Sequence, residues 1–150
     1  MSETTVFLPP DGRRVGGGRF IPPLLLIPFI IYNVLALTLF GWQPEGWSRQ
    51  LVGIPMVSGE LWSLTWGDVL LVVALVCLFF EVVKSTNTGR SSVIEHMAST
   101  ALFVVLLIEF LLFAPAASSV FFILMVMSLV DVVAGFTISI TGAGRDVTMG

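Results

Sequence analysis

The chain has 150 residues and a formal net charge of −3, with 56% hydrophobic and 11% charged residues. Soluble domains carry about a quarter charged residues, so this composition is typical of an integral membrane protein. The seven basic residues are scattered, which argues against nucleic-acid binding. One cysteine and one histidine exclude an internal disulfide, a four-ligand zinc site built on cysteines and bis-histidine haem ligation within the chain.

Four apolar segments are long enough, or nearly so, to cross a bilayer as helices, which takes about 20 residues. These predicted spans are residues 20–40, 68–84, 97–114 and 118–140. The sequence therefore predicts an all-α, four-helix integral membrane bundle over residues 20–140. A tail at 1–19, a loop at 41–67 and a tail at 141–150 lie outside the spans.

Basic residues flanking the spans indicate the orientation of the bundle. The 41–67 loop has only Arg49, whereas six basic residues flank the opposite ends of the spans: Arg13, Arg14, Arg19, Lys84, Arg90 and Arg145. Lysine and arginine accumulate on the cytoplasmic side of membrane proteins. Both termini are therefore predicted to be cytoplasmic, in a bacterial inner membrane, with Lys84 and Arg90 at the inner membrane interface.

The loop at 41–67 holds all four tryptophans of the chain: Trp42, Trp47, Trp62 and Trp66. Tryptophan prefers the headgroup level of a bilayer, so each is predicted to lie at the outer membrane interface. Two short apolar runs flank Ser58 and Gly59, which are typical of a tight turn. The pattern predicts a β-hairpin or extended flap that is either a lid or docking surface, or an interfacial anchor.

Helix-start signals accompany two of the spans. Thr65 and Asp68, three residues apart, match a capping box at the start of the second span. Pro115 ends the third span, and Ser118 and Ser119 are suitable N-caps for the fourth. We therefore expect the second and fourth helices to begin at these positions.

The candidate intramembrane polar residues of the predicted spans are Asn33, Glu81, Glu109 and Asp131. A charged side chain inside a membrane costs about 2.5–3.5 kcal/mol and usually faces protein or a cavity. Counting about 1.5 Å per residue, Asn33 and Glu109 fall at a similar depth in the outer half of the membrane. Glu81 and Asp131 fall at a similar depth beyond the midplane, with Lys84 within one helical turn of Glu81. The sequence thus predicts an outer tier and an inner tier of polar residues.

Small and polar residues recur at helical spacing on the second and fourth spans. On the fourth span the stripe is Ser128, Asp131, Gly135, Ser139 and Gly142. On the second span it is Gly67, Leu70, Ala74, Cys77, Glu81 and Lys84. Small residues let helices approach closely in lipid, so both stripes are predicted to face protein.

The intramembrane acids have alternative explanations. Glu81 is explained as a partner of Lys84 one turn away, while Asp131 either bonds to serine, backbone or basic groups or has a functional role. Glu109 has no basic residue at its depth in this chain. Either it is protonated and donates a hydrogen bond to Asn33, or its partner lies in another chain.

The sequence contains no HExxH, GxSxG or CxxC motif, so we expect no enzyme activity, no catalytic residue, no metal site and no cofactor. The favoured function is a non-catalytic accessory subunit or assembly factor of a larger membrane complex. Its expected partners are the lipid bilayer and either another integral membrane protein or a second copy of itself. The alternative is an oligomeric transporter or channel for protons or cations, in which Glu109 and Asp131 would bind the proton or cation along its path.

Overall fold

The computed structural model describes residues 21–86 and 90–147, without the side chains of 90–93 and 142–147. This part of the chain contains four α-helices: α1 at Leu26–Thr38, α2 at Trp66–Ser85, α3 at Arg90–Leu112 and α4 at Ser119–Val147. A small antiparallel sheet joins β1, Gln50–Pro55, to β2, Leu61–Thr65. The predicted tail at 1–19 and the last three residues lie outside the described part.

Three of the helices are long and apolar enough to cross a membrane, over Trp66–Ser85, Ile94–Leu112 and Ser119–Thr141. These stretches overlap the predicted second, third and fourth spans. The helices themselves run beyond the predicted spans, because α3 begins at Arg90 and α4 continues to Val147.

The first predicted span differs from the observed helix. α1 has only 13 residues, which is about 20 Å of helix against the roughly 30 Å of a hydrocarbon core. Pro22 and Pro23 explain the late start, because the residue before a proline is disfavoured in helical conformation. At the other end, Gly41 and Trp42 both have positive φ, which turns the chain away from the helix axis.

Helix α4 is the central element of the bundle. It packs along both α2 and α3, while α1 lies mainly against α2. Within the described residues, α1 and α3 share few contacts, so the bundle is open on that side. The core between the packed helices is formed by Leu25, Tyr32, Ala36, Phe40, Trp47, Leu70, Ala74, Leu102, Leu106, Phe121 and Leu124.

Both small and polar stripes point into the bundle. On α2, Gly67, Ala74 and Glu81 are buried, and Cys77 and Lys84 are half-buried. A Cβ atom on Gly67 would lie 2.6 Å from Val120 Cγ2 of α4, so this glycine permits the close approach of the two helices. The exposed side chains on the remaining surface of α2 are apolar, including Val72, Leu75, Val76 and Phe79.

The matching stripe on α4 is also turned inward. Ser128, Asp131 and Gly135 are buried, and Ser139 is half-buried. The side chain position at 142 lies outside the described residues.

The predicted hairpin is confirmed. Ile54 pairs with Trp62 and Val52 with Leu64, and Gly59 adopts a φ of 89° in the turn. β2 leads directly into α2, whose start at Thr65 has both hydrogen bonds of the predicted capping box.

The start of α4 also follows the sequence signal. The backbone N–H of Phe121 donates to Ser118 Oγ at 3.1 Å, which caps the first turn of the helix.

The four tryptophans occupy different environments. Trp42 and Trp62 are about half exposed, and Trp66 is half-buried at the start of α2. Trp47 differs from its expected surface position, because it is only 2% exposed. A 3₁₀ turn over Pro44–Ser48 folds back over the end of the bundle that carries the hairpin and packs the Trp47 ring against Tyr32, with ring centroids 4.5 Å apart.

Candidate functional site

The outer polar tier brings Asn33 and Glu109 together. The Asn33 side-chain amide and the Glu109 carboxyl group are neighbours that interact across the same pocket. Asn33 Nδ2 donates to the backbone carbonyl of Phe29, one turn earlier on α1, at 3.3 Å. The pair therefore spans the open side between α1 and α3.

Asn33 and Glu109 line a lateral groove of about 650 Å³ between these two helices. Its other walls are mostly apolar and include Ala36, Leu37, Val105, Ile108, Leu112 and Phe113. This volume falls in the range of pockets that hold a ligand or large side chains. The groove thus combines an apolar lining with one carboxyl–amide pair.

Tyr32 fixes α1 behind this groove. Its hydroxyl donates to the Pro115 carbonyl at 2.8 Å and lies 2.7 Å from Ser118 Oγ, in the turn between α3 and α4. Its ring stacks on Trp47 and meets Phe121 edge to face at 4.8 Å. Because the hydroxyl has polar partners and the ring is fully buried, Tyr32 holds α1 against the turn between α3 and α4.

The inner tier is a small enclosed cavity where α2, α3 and α4 meet. Glu81 and Asp131 both line it, as their matched depths predict, together with Lys84, Glu95, His96 and Ser99. Lys84 Nζ lies 2.5 Å from Glu81 Oε1 and 3.7 Å from Glu95 Oε2. Asp131 and Ser99 are both buried and interact across this cavity.

Glu81 has a second, structural contact that the sequence pattern does not show. Its Oε2 accepts a hydrogen bond of 2.8 Å from the backbone N–H of Leu24. Leu24 lies in the non-helical segment after Pro22 and Pro23, where no intrahelical acceptor is available. Glu81 therefore satisfies both this backbone group and Lys84, and it ties the start of α1 to α2.

His96 and Ser99 are inner-tier residues that sequence reasoning missed. His96 Nε2 lies 2.8 Å from Ser139 Oγ, and its ring faces Gly135 so closely that a Cβ there would be 2.5 Å from Nδ1. The spacing in the sequence could have identified them. His96, Ser99, Leu102 and Leu106 recur at helical spacing on one face of α3, and the last three are buried. The side chain of Arg90, at the start of α3, lies outside the described residues.

The chain has no match among protein families, curated proteins or solved structures. Among the described residues, no group of three or more His, Cys, Asp or Glu side chains could hold a metal ion.

The Glu81–Lys84 pair provides a test of the inner tier. Glu81→Gln keeps an acceptor for the Leu24 N–H but leaves Lys84 without its nearest carboxylate. We expect the variant to lose about 1–3 kcal/mol of stability, because Lys84 then keeps only the more distant Glu95 carboxylate, at 3.7 Å. The double variant Glu81→Gln/Lys84→Met should recover a large part of that loss in unfolding measurements in mixed detergent micelles.

The matched control is Glu60→Gln in the exposed hairpin turn, which should change stability by less than about 0.5 kcal/mol. Wild-type stability in Glu81→Gln, or a double variant weaker than the single one, would contradict a structural role for the pair.

Proposed function

We propose that the protein is a non-catalytic accessory subunit or assembly factor that binds another integral membrane protein. Its proposed location is a bacterial inner membrane, with both termini in the cytoplasm. The single observation that carries this proposal is the lateral groove between α1 and α3, whose apolar walls hold the Asn33–Glu109 pair.

The shape of the groove fits a partner helix. Two helices form its walls, and a third helix would complete the missing side of the bundle. In lipid, helices associate through close packing and hydrogen bonds rather than through the hydrophobic effect. The carboxyl–amide pair in the groove offers a partner helix hydrogen bonds.

The arrangement of the polar tiers favours this function over proton or cation transport. Glu109 lines the groove, whereas Asp131 lines the separate inner cavity. On α3, the buried side chains of Leu102 and Leu106 lie between the outer tier and the inner tier. On α4, Leu124 is also buried between the two tiers. A path through this chain would have to cross that apolar layer.

Photo-crosslinking in native membranes tests the proposal. A photoreactive amino acid at Leu112, which is 78% exposed in the groove wall, should crosslink to one integral membrane protein of defined mass. The same probe at Val72, 61% exposed on α2, is the matched control and should not give this product.

Filling the groove should abolish the crosslink at Leu112. Leu37→Trp places a bulky ring in the groove from a position that is already 45% exposed, so the fold should tolerate it. Crosslinks from Leu112 to lipid alone, or a product that persists with Leu37→Trp, would contradict a partner helix in this groove.

The proposed orientation predicts a distinct labelling pattern. Ser58→Cys, at the exposed hairpin turn, should react with a membrane-impermeant maleimide added outside intact spheroplasts, in a Cys77→Ala background. A cysteine introduced at Gly150 should react only after the membrane is permeabilised. The reverse pattern would show that the chain is inserted the other way round.

A further inference from the structure

The Glu109 carboxyl group is incompletely satisfied by its own chain. A carboxylate has two oxygens and about four acceptor sites. Asn33 is the neighbouring polar side chain with which it interacts among the described residues, and the Asn33 amide donates its hydrogen bond to the Phe29 carbonyl. The Glu109 side chain lines the groove.

Within the part of the chain that the structure describes, no basic residue pairs with Glu109. The Arg49 guanidinium sits over the Phe40 ring, 5.7 Å from its centroid, and Lys84 is paired in the inner tier. Arg90 begins α3 and Arg145 lies near the end of α4, both at the opposite end of the bundle from Glu109. In a second copy with the same orientation, the described helices α1 to α4 have no basic residue at the end where Glu109 lies.

Glu109 is three residues before the end of α3 at Leu112, so a partner would approach it near the outer end of a helix. The Trp42 and Phe113 rings are 5.8 Å apart at this end of the groove. Aromatic faces attract cations, arginine most often. The planar guanidinium group can also pair with a carboxylate through two hydrogen bonds.

From this charge complementarity we infer that the groove accepts a transmembrane helix of a different protein that carries an arginine or lysine within one turn of its outer end. The basic side chain pairs with Glu109 and packs against Trp42 and Phe113. This inference rests on the proposed function and specifies the chemistry of the partner.

Single-span helices of defined sequence provide the probe. The full-length protein, with Cys77→Ala and Leu112→Cys, is co-expressed with a leucine–alanine helix fused to a cytoplasmic domain that fixes its orientation. One probe has an arginine one turn from its outer end, a second has leucine there, and a third has the arginine one turn from its inner end. Each carries the same cysteine near its outer end, and the readout is disulfide yield.

We expect the probe with the outer arginine to associate about tenfold more strongly than the other two, which corresponds to about 1.4 kcal/mol. Glu109→Gln, which keeps the shape of the side chain, should reduce its yield to that of the leucine probe. Glu109→Lys should reverse the preference and select a probe with glutamate at the outer position. Equal yields for all three probes, or an arginine preference that survives Glu109→Gln, would overturn the inference.

These outcomes are separable from those of the proposed function. If the native crosslink from Leu112 persists in Glu109→Gln, the accessory role stands and the charge-recognition inference falls. If the arginine probe is selected but Leu112 crosslinks only to lipid in native membranes, the proposed function falls.

Discussion

The hydrogen bond from the Leu24 backbone N–H to the Glu81 carboxylate is the contact on which the arrangement of the bundle depends. In a membrane, backbone polar groups find partners within the protein because lipid offers none. Pro22 and Pro23 prevent the chain from satisfying Leu24 by forming helix earlier. Glu81 supplies the acceptor at 2.8 Å and fixes the start of α1 against α2.

This attachment has consequences at both ends of the bundle. Near the start of α1, this hydrogen bond gives the buried carboxylate of α2 a structural role, because Glu81 accepts from the Leu24 N–H and also pairs with Lys84. At the outer end, Tyr32 holds α1 to the turn between α3 and α4. With both of its ends tied in this way, α1 lies along α2 and leaves the side facing α3 open. The groove that contains Glu109 is the result.

Much of this fold follows from local sequence signals. The hairpin is predictable because alternating apolar residues flank a glycine turn, and the capping box because Thr65 and Asp68 have the required spacing. Depth counting alone places Glu109 with Asn33 and Glu81 with Asp131, because residues at one level on neighbouring helices meet if they face the same space. The hairpin, the capping box and the depths of the polar residues all depend on the spacing of residues along the chain, which can be read directly from the sequence.

The features that escaped prediction depend on contacts between distant segments. Helix α1 is shorter than the predicted span because it begins only after Pro22 and Pro23. The hydropathy of the segment does not show this later start. Trp47 is buried because a 3₁₀ turn folds inward, although tryptophan composition alone favours the interface. The groove exists because α1 and α3 do not pack together, and helix periodicity shows which face is buried but not which pair of helices stays apart.

Native mass spectrometry of the protein extracted with its surrounding lipid, without detergent, shows directly whether a partner protein occupies the groove. We expect particles that contain one 16.3 kDa chain together with a different integral membrane protein, which dissociates from the chain when Ile108→Trp fills the groove. Particles that contain only 16.3 kDa chains and lipid would contradict this expectation.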